Sequence, residues 1–401
     1  MDVTLEDIQK AKEVIKETIF PTPLIPSNDL GFNGNKIYFK PENLQKTGSF
    51  KIRGAFNKMA NLTEEEKSKG VIASSAGNHA QGVALAASAY GIESTIVMPV
   101  GAPISKVTAT QNYGAKVVLH GNDFDDAYDR ALEIQMETGA TFVHAFDDEF
   151  VIAGQGTIGL EILDELEDVD AVVVPIGGGG LISGVALAIK ALKPEVKIIG
   201  VEAENAASMY QSLEVGDIVR CTSSDTIADG IAVKRTGPLT FAMTKKYVDE
   251  VVTVTEEEIA KAIFTLLESE KLVAEGAGAT ATAAILAGKV HLENSKIVVL
   301  LSGGNIDMNL VMNIIDSSLL REGRFTEISI SIPDKPGNLQ TLLEVIASTK
   351  ANISTISQTN MKPYLTLGSQ EVTLVLETKD NKHIDEIYNV LKDKKYQLIQ
   401  K

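Results

Sequence analysis

The sequence predicts an α/β protein with parallel-rich sheets, followed by a small βαββαβ module. Two observations lead to this fold class. Up to about residue 320 of the 401-residue chain, short apolar runs alternate with longer helical patterns, as in parallel sheets wrapped by helices. Beyond that point the order becomes strand, helix, two strands, helix and a short final strand, which is a common arrangement for a small α/β module.

Residues 4–20 are predicted to form the first helix. Thr4 can cap it, and Asp7 stands three residues later, as in a capping box. Pro21 and Pro23 end the helical pattern. The apolar face of this helix consists of Leu5, Ile8, Ala11, Val14, Ile15 and Ile19.

The following elements alternate between buried strands and helices. A Gly, Ser or Asn turn follows several of the strands, which is where parallel sheets place their ligands. Strands are expected at 71–74, 94–99, 116–120, 171–175, 196–201 and 297–301. Helices are expected at 81–90, 104–113, 124–138 and 181–192.

The C-terminal module begins after a polar joint. Its first strand carries Ile328, Ile330 and Ile332 on one face. We therefore divide the chain into a domain at 1–320, a linker at 321–326 and a module at 327–401. Within the module, a turn at 334–339 leads to a helix at 339–348, strands at 352–358 and 370–378, and a helix at 382–391.

Composition excludes several classes of function. The 37 Lys and Arg residues against 54 Asp and Glu residues give a net charge of −17, which argues against nucleic-acid and anionic-membrane partners. Cys221 is the single cysteine, so no intrachain disulfide can form and a reducing compartment is favoured. The chain has no basic-then-apolar leader and no apolar run of membrane-spanning length. We expect a soluble, cytoplasmic protein.

Lys51 stands in the most informative segment, at a turn that opens a helical pattern. Its neighbours in 40–54 are small, polar and aromatic residues. A lysine amine used in chemistry usually forms an imine with a carbonyl of the substrate or of pyridoxal phosphate. The alternative is an ordinary surface lysine at a helix start, and the segments described next bear on that choice.

A strand at 171–175 runs into Gly177, Gly178, Gly179 and Gly180 and then into a helix that begins near Leu181. Glycines let backbone N–H groups converge on an anion, and the helix N-terminus favours negative charge. The alternatives are a tight strand–helix turn or a dinucleotide site, with Glu202 as the ribose-binding acid. The G-x-G-x-x-G register fails at Ile182 and Ser183, so one phosphate fits better.

The segment 72–82 is a strand, a polar elbow and a helix. The elbow offers N–H groups to a substrate carboxylate, and Asn78 could bond a phenolic oxygen of a cofactor. Alternatively, Asn78 merely caps the helix. His79 is either a site residue or a packing histidine.

Ser302 follows the strand at 297–301 and begins a glycine turn. Its hydroxyl can hydrogen-bond a pyridine nitrogen without forcing a proton onto that nitrogen. The alternative is a plain turn at the end of a strand.

These motifs together resemble those of the pyridoxal-phosphate-dependent β-eliminating enzymes related to tryptophan synthase β (fold type II), and most closely the threonine dehydratases (threonine ammonia-lyases). The tail around 334–339 looks like an ACT module, a small regulatory domain that often binds amino acids. The matching segments, in an order typical of the family, are 42–45, 48–54, 75–82, 177–181, 226–230 and 301–305.

The resemblance implies a two-lobed catalytic domain, with a smaller lobe at about 41–150 inserted into the larger one, and a pyridoxal 5'-phosphate cofactor. It implies that Lys51 holds the cofactor and takes the α-proton, and that Ser302 meets the pyridine nitrogen. The other implied cofactor contacts are Phe50, Asn78, Gly177, Gly178, Gly179, Gly180 and Leu181, with Gly230 and Glu275 near the ring. The implied contacts with the substrate are Ser75, Ala76, Gly77, Asn78 and His79.

Two departures from related enzymes refine this expectation. The related serine racemase has a serine proton donor directly before the Gly-Asn pair, where this chain has Ala76, so elimination is favoured over racemisation. Racemase-like relatives bind a divalent ion near 202–208. Glu202 is present, but Ser208 replaces a second carboxylate, and we predict no metal.

The expected reaction is dehydration and deamination of L-threonine, and more weakly of L-serine, to 2-oxobutanoate (or pyruvate) and ammonia. The alternatives are a serine or aspartate racemase, a nucleotide-dependent oxidoreductase, and a non-catalytic amino-acid sensor. We expect a homodimer or homotetramer. If the C-terminal module is regulatory, we expect it to bind an amino-acid or nucleotide effector. In a biosynthetic role, such as isoleucine biosynthesis, the effector is expected to be isoleucine or valine. The alternative is that the module only dimerises.

Overall fold

The computed structural model describes residues 3–27 and 29–399. The chain divides into two compact units between Asp307 and Met308. Among the described residues, no helix combines the length and the apolar character that crossing a membrane requires.

The described residues form three sheets. The strands are β1 (Ile25–Pro26), β2 (Lys36–Pro41), β3 (Val71–Ser74), β4 (Ser94–Met98), β5 (Lys116–Leu119), β6 (Thr141–Phe142), β7 (Ala171–Pro175), β8 (Lys197–Ala203), β9 (Glu250–Val254), β10 (Lys296–Leu301), β11 (Phe325–Pro333), β12 (Asn352–Thr359), β13 (Ser369–Glu377) and β14 (Gln397–Leu398).

Helices surround these sheets. They are α1 (Leu5–Ile15), α2 (Lys51–Ala60), α3 (Glu64–Lys69), α4 (Asn78–Ala89), α5 (Ile104–Asn112), α6 (Phe124–Thr138), α7 (Glu149–Glu165), α8 (Gly180–Leu192), α9 (Ser208–Val215), α10 (Pro238–Tyr247), α11 (Glu256–Thr265), α12 (Gly276–Leu286), α13 (Met308–Arg321), α14 (Asn338–Ser348) and α15 (Asn381–Asp393).

The larger sheet of the first unit has the strand order β1-β2-β10-β7-β8-β9 and is parallel except for β1. Its central strands β7 and β10 are apolar and almost entirely buried, as strands covered on both faces must be. Because β2, β10 and β7 are parallel neighbours, the turns that follow them meet at one edge.

The smaller sheet has the order β5-β4-β3-β6 and is parallel throughout. In sequence it lies between β2 and β7 of the larger sheet, so the chain leaves the larger sheet and later returns to it. Helices α2 and α4 pack on one face of β3, and α6 packs on the other. This arrangement is an α/β fold with parallel-rich sheets, as the sequence predicts.

The first helix is shorter than predicted. Thr4 and Asp7 form the expected capping box, but α1 ends at Ile15. After Ile15 the chain forms a turn, in which the Thr18 and Ile19 N–H groups donate to the Ile15 carbonyl. Phe20 is then held by Gln45. Its N–H donates to Oε1 of Gln45 and its carbonyl accepts from Nε2 of Gln45, both at 2.8 Å, which holds the chain away from a helical path.

The second unit contains α13 and a four-stranded antiparallel sheet of order β12-β13-β11-β14. The predicted order βαββαβ is confirmed for β11 to β14. Helices α14 and α15 cover a core to which Ile328, Ile330 and Ile332 contribute the alternating face of β11. The domain boundary that we placed at 321–326 stays a prediction.

Candidate active site

The predicted motifs gather at the carboxyl edges of the two parallel sheets. The segment that leads to Lys51 follows β2, Ser302 follows β10, and the glycine turn follows β7, three adjacent strands. The elbow at 75–77 follows β3 of the smaller sheet. A side chain at Gly82 on α4 would come within 3.2 Å of the Lys51 backbone, so the helix that follows this elbow packs directly against the start of α2.

A short backbone ladder joins the Lys51 and Ser302 segments. The Phe50 N–H donates to the Ser302 carbonyl at 3.1 Å, and the Gly304 N–H donates to the Gly48 carbonyl at 2.9 Å. Ser49 and Gly303 form an antiparallel bridge between them. Two segments that lie about 250 residues apart in the sequence therefore hold their side chains in a common register.

The Lys51 amine is not an ordinary solvated one. Its Nζ donates to the Ala145 carbonyl at 2.9 Å and lies 5.0 Å from the centre of the Phe50 ring. Burial lowers the pKa of Lys51 to about 8, and the nearby Glu275 carboxylate opposes this shift. Loss of hydration disfavours the ammonium form, so part of the amine is neutral near neutral pH and able to act as a base or nucleophile.

Asn78 does not cap helix α4. Gly77 holds the capping position, and the Asn78 side chain turns into the site instead. Its Nδ2 donates to Oε1 of Glu275 at 2.5 Å, and its Oδ1 accepts from Nδ2 of Asn305 at 2.7 Å. Burial raises the pKa of Glu275 to about 7, with a further increase from Asp229, while the Asn78 bond opposes it.

The glycine turn is shaped by packing on one side and leaves donors free on the other. A Cβ at Gly178 would lie 2.2 Å from the Phe146 ring, and Gly179 has a left-handed φ of +94°. Within residues 3–27 and 29–399, the N–H groups of Gly177, Gly178 and Gly179 have no hydrogen-bond acceptor. Since buried N–H groups are rarely left unpaired, this turn followed by the N-terminus of α8 fits a phosphate.

The elbow after β3 has open space beside it. The Gly77 N–H donates to Oγ of Ser75 at 3.2 Å, and nothing lies within 4 Å of a Cβ built at Gly77. Ala76 and Gly77 are half-buried. His79 is buried, its Nε2 bonds the Val143 carbonyl at 2.8 Å, and burial lowers its pKa to about 3. Its ring is neutral and serves in packing.

The segment 144–147 was not predicted and connects two parts of the site. Nδ1 of His144 accepts from the Phe146 and Asp147 N–H groups, which shapes a turn that presents the Ala145 carbonyl to Lys51. The ring of Phe146 packs against His144 with centroids 4.5 Å apart and lies against Gly178. The sequence feature that could have indicated this segment is the presence of His144 and Phe146 shortly after a short strand, β6.

Glu202 lies on β8 and is fully buried. Its two carboxylate oxygens accept from the Met209 N–H at 2.9 Å and the Tyr210 N–H at 2.7 Å, and burial raises its pKa to about 8. Both oxygens are thus engaged at the start of α9, which argues against a ribose-binding role.

Comparison with known proteins agrees with this geometry. Residues 15–303 match the family described as pyridoxal-phosphate-dependent enzymes. The chain belongs to this family. It is 54% identical to an L-threonine ammonia-lyase of Thermotoga maritima over 397 residues, which cover 99% of each chain.

Solved structures of the family include two similar folds. The processed form of threonine deaminase isoform 2 from Solanum lycopersicum has a TM-score of 0.75 and 42% identity, covering 78% of this chain and 91% of its own. Maize serine racemase has a TM-score of 0.75 and 37% identity, covering 80% and 100%. Backbone similarity therefore does not separate elimination from racemisation. The members of the family use pyridoxal phosphate, and the N–H groups of the glycine turn fit its phosphate.

Proposed function

We propose that this protein catalyses the pyridoxal-phosphate-dependent dehydration and deamination of L-threonine to 2-oxobutanoate and ammonia. The observation that carries the proposal is the 54% identity to an L-threonine ammonia-lyase along 99% of both chains. L-Serine, which lacks one methyl group, reacts more weakly and yields pyruvate. A single methyl group in a pocket is worth about 1–3 kcal/mol, so serine turnover remains measurable.

The bound cofactor supplies an electron-withdrawing ring that stabilises negative charge at the α-carbon of the substrate. In our proposal, the amides of Gly177 to Leu181 hold its phosphate. Asn78 would donate to its phenolic oxygen, Ser302 would meet its pyridine nitrogen, and Phe50 would pack against the ring. The free N–H groups of the glycine turn and the inward direction of the Asn78 side chain support these roles.

Lys51 carries the covalent link to the cofactor and then handles the α-proton. Its lowered pKa supports both tasks, because each requires a neutral amine. The elbow from Ser75 to His79 holds the substrate carboxylate through backbone N–H groups. The space beside Gly77 supports this assignment.

Elimination is preferred to racemisation because of Ala76. A racemase needs a second proton donor on the face of the α-carbon opposite Lys51, and a methyl side chain cannot supply a proton. A serine or aspartate racemase is the alternative, and the fold similarity to maize serine racemase is compatible with it.

The test is an absorption spectrum of the purified protein before and after addition of L-threonine, with keto acid assayed in the same sample. We expect a change in the cofactor band together with release of 2-oxobutanoate. Lys51→Ala should lose the band of the linked cofactor and turnover together, whereas Lys69→Ala, an exposed lysine on α3, should keep both. Exchange of the α-hydrogen for deuterium without keto acid would identify a racemase instead.

We further propose that residues 327–401 form an ACT-like regulatory domain, joined by a linker at 321–326 to a catalytic domain at 1–320 that has a smaller lobe at about 41–150. The sheet order β12-β13-β11-β14 and the open left-handed turn at Gly337, with a φ of +91°, support a ligand site there. The protein would act in the cytoplasm as a homodimer or homotetramer, in a pathway such as isoleucine biosynthesis.

Titration with branched-chain amino acids and adenine nucleotides tests this regulatory role. We expect one of these ligands to change the substrate concentration at half-maximal rate or the state of assembly. If none of them changes either quantity, the module serves only in dimerisation or folding.

A further inference from the structure

A chain of side-chain amides runs through the candidate site. Nδ2 of Asn305 donates to the Thr47 carbonyl and to Oδ1 of Asn78, both at 2.7 Å. Nδ2 of Asn78 then donates to Oε1 of Glu275 at 2.5 Å. Asn305 thus lies between the backbone of the Lys51 segment and the residue that we assign to the phenolic oxygen of the cofactor.

The direction of this chain of hydrogen bonds is determined by its first acceptor, the Thr47 carbonyl. A backbone carbonyl has no hydrogen to donate, so Asn305 must present its NH2 group to Thr47. The second hydrogen of the same NH2 group points to Asn78, which must therefore present its oxygen. The NH2 group of Asn78 is left facing the opposite way, into the site.

The surrounding backbone leaves little room for another arrangement. Gly48 has a left-handed φ of +70°, and a Cβ there would lie 2.5 Å from Oδ1 of Asn305. Thr47 also has a left-handed φ, of 64°, which is unusual for a β-branched residue. On the other side, a Cβ at Gly303 would lie 3.0 Å from Nδ2 of Asn78. Each asparagine side chain therefore lies directly against a glycine of the backbone, although both residues are only half-buried.

We propose that Asn305 is a positioning residue that fixes the side-chain amide of Asn78 with its NH2 group toward the phenolic oxygen of the cofactor. The proposal rests on the cofactor contact that we assign to Asn78. A reversed amide would place its carbonyl oxygen against the phenolic oxygen and disfavour the ionised form of that oxygen. Asn305 therefore controls the protonation of the cofactor without contacting it.

The test is a pH titration of the cofactor absorption band in the loaded protein without substrate. Asn305→Asp offers only acceptors, so the Asn78 amide should turn its NH2 group toward position 305. We expect the midpoint to shift upward by about one pH unit and the affinity of the cofactor-free protein for the cofactor to fall. Asn305→Ala, which leaves the amide free to take either orientation, should give a smaller shift in the same direction.

A double-mutant cycle separates this role from a general effect of charge or packing. In an Asn78→Ala background, both substitutions at Asn305 should leave the midpoint unchanged. Asn112→Asp, which adds the same charge at an exposed position at the end of α5, should not shift the midpoint.

Equal shifts with and without the Asn78 side chain, or no shift in either background, would overturn the proposal. If Asn305→Ala does not fold, Asn305→Ser replaces it in the cycle, since one hydroxyl hydrogen cannot serve both Thr47 and Asn78. The pH titration of the cofactor band requires no substrate. Failure of the protein to act on threonine would therefore refute the proposed function, while the titration would still test the role of Asn305.

Discussion

At the scale of single residues, the reactivity of Lys51 depends on two opposing effects. Burial removes water from the ammonium group and disfavours it, while the negative charge of Glu275 favours it. Burial is the larger effect, and the pKa falls from 10.5 to about 8. At pH 8 roughly half of the amine is neutral, compared with less than about 1% for an ordinary lysine.

We predict that the labelling rate of Lys51 by an amine-reactive reagent in cofactor-free protein rises with pH to a midpoint near 8. Only the neutral amine reacts, so the rate must follow its fraction. Glu275→Gln should move the midpoint lower, because a charge that favours the ammonium form is lost. Mass spectrometry of the Lys51 peptide measures the rate, and denatured protein serves as the control. A native midpoint near that of denatured protein would contradict the prediction.

At the scale of elements, helix α2 needs an anchor because its first residue is Lys51 and no side chain caps it. Arg53, two residues on, supplies this anchor and is fully buried. Its guanidinium group donates two bonds to Glu42, at the end of β2, and two to Glu161 on α7, and a further bond to Thr157. These bonds use all five of its N–H groups.

We predict that Arg53→Met lowers the free energy of unfolding by about 3–5 kcal/mol, because the fully buried Glu42 carboxylate loses its ionic partner and Glu161 keeps only Lys40. Arg53→Lys should be intermediate, since an ammonium group cannot form both two-pronged pairs. The control is Arg130→Met on α6, whose pair with Glu133 is more exposed and worth about 0–1 kcal/mol. Urea unfolding measures both. Equal losses at Arg53 and Arg130 would contradict the anchoring role.

At the scale of the whole molecule, two partly exposed ion pairs between described residues join the proposed smaller lobe to the rest of the first unit, in addition to the pair of Arg53 and Glu161. Lys106 on α5 lies 2.7 Å from Asp229, and Asp125 on α6 lies 2.6 Å from Arg220. Both pairs have at least one exposed member, so each contributes little energy and is screened by salt. Lobe association is therefore held partly by weak electrostatic contacts.

We predict that Lys106→Met combined with Asp125→Asn raises KM for the substrate by up to about fivefold, the equivalent of about 1 kcal/mol. The two pairs hold α5 and α6 against the segments that carry Asp229 and Arg220, so we expect their loss to loosen the substrate site. Added salt should raise KM of the native protein in the same way but have little effect on the double variant. Lys12→Met, which breaks a pair with Asp164 inside the larger lobe, should change neither KM nor its salt dependence.

Strand positions were predictable where an apolar run ends in a turn. Strands β3 and β7 have the predicted bounds, because each is a short buried run followed by Ser or Gly residues. Helix α6 also has its predicted bounds, and α5 and α8 each differ from the predicted bounds by one residue. Helix α4 begins at Asn78 and not at Gln81, because the Asn78 side chain bonds Glu275 and leaves the cap to Gly77.

The sequence by itself determined which turns follow which strands, whereas the strand order that brings those turns together came from the structure. Local patterns suffice for the former, because apolar periodicity and glycine turns are properties of neighbouring residues. The tertiary structure alone decided the protonation of Lys51 and the direction of the Asn78 amide. The Lys51 amine meets a carbonyl 94 positions away, and Asn78 meets an amide 227 positions away. Contacts over such separations arise only once the chain has folded, and no local pattern encodes them.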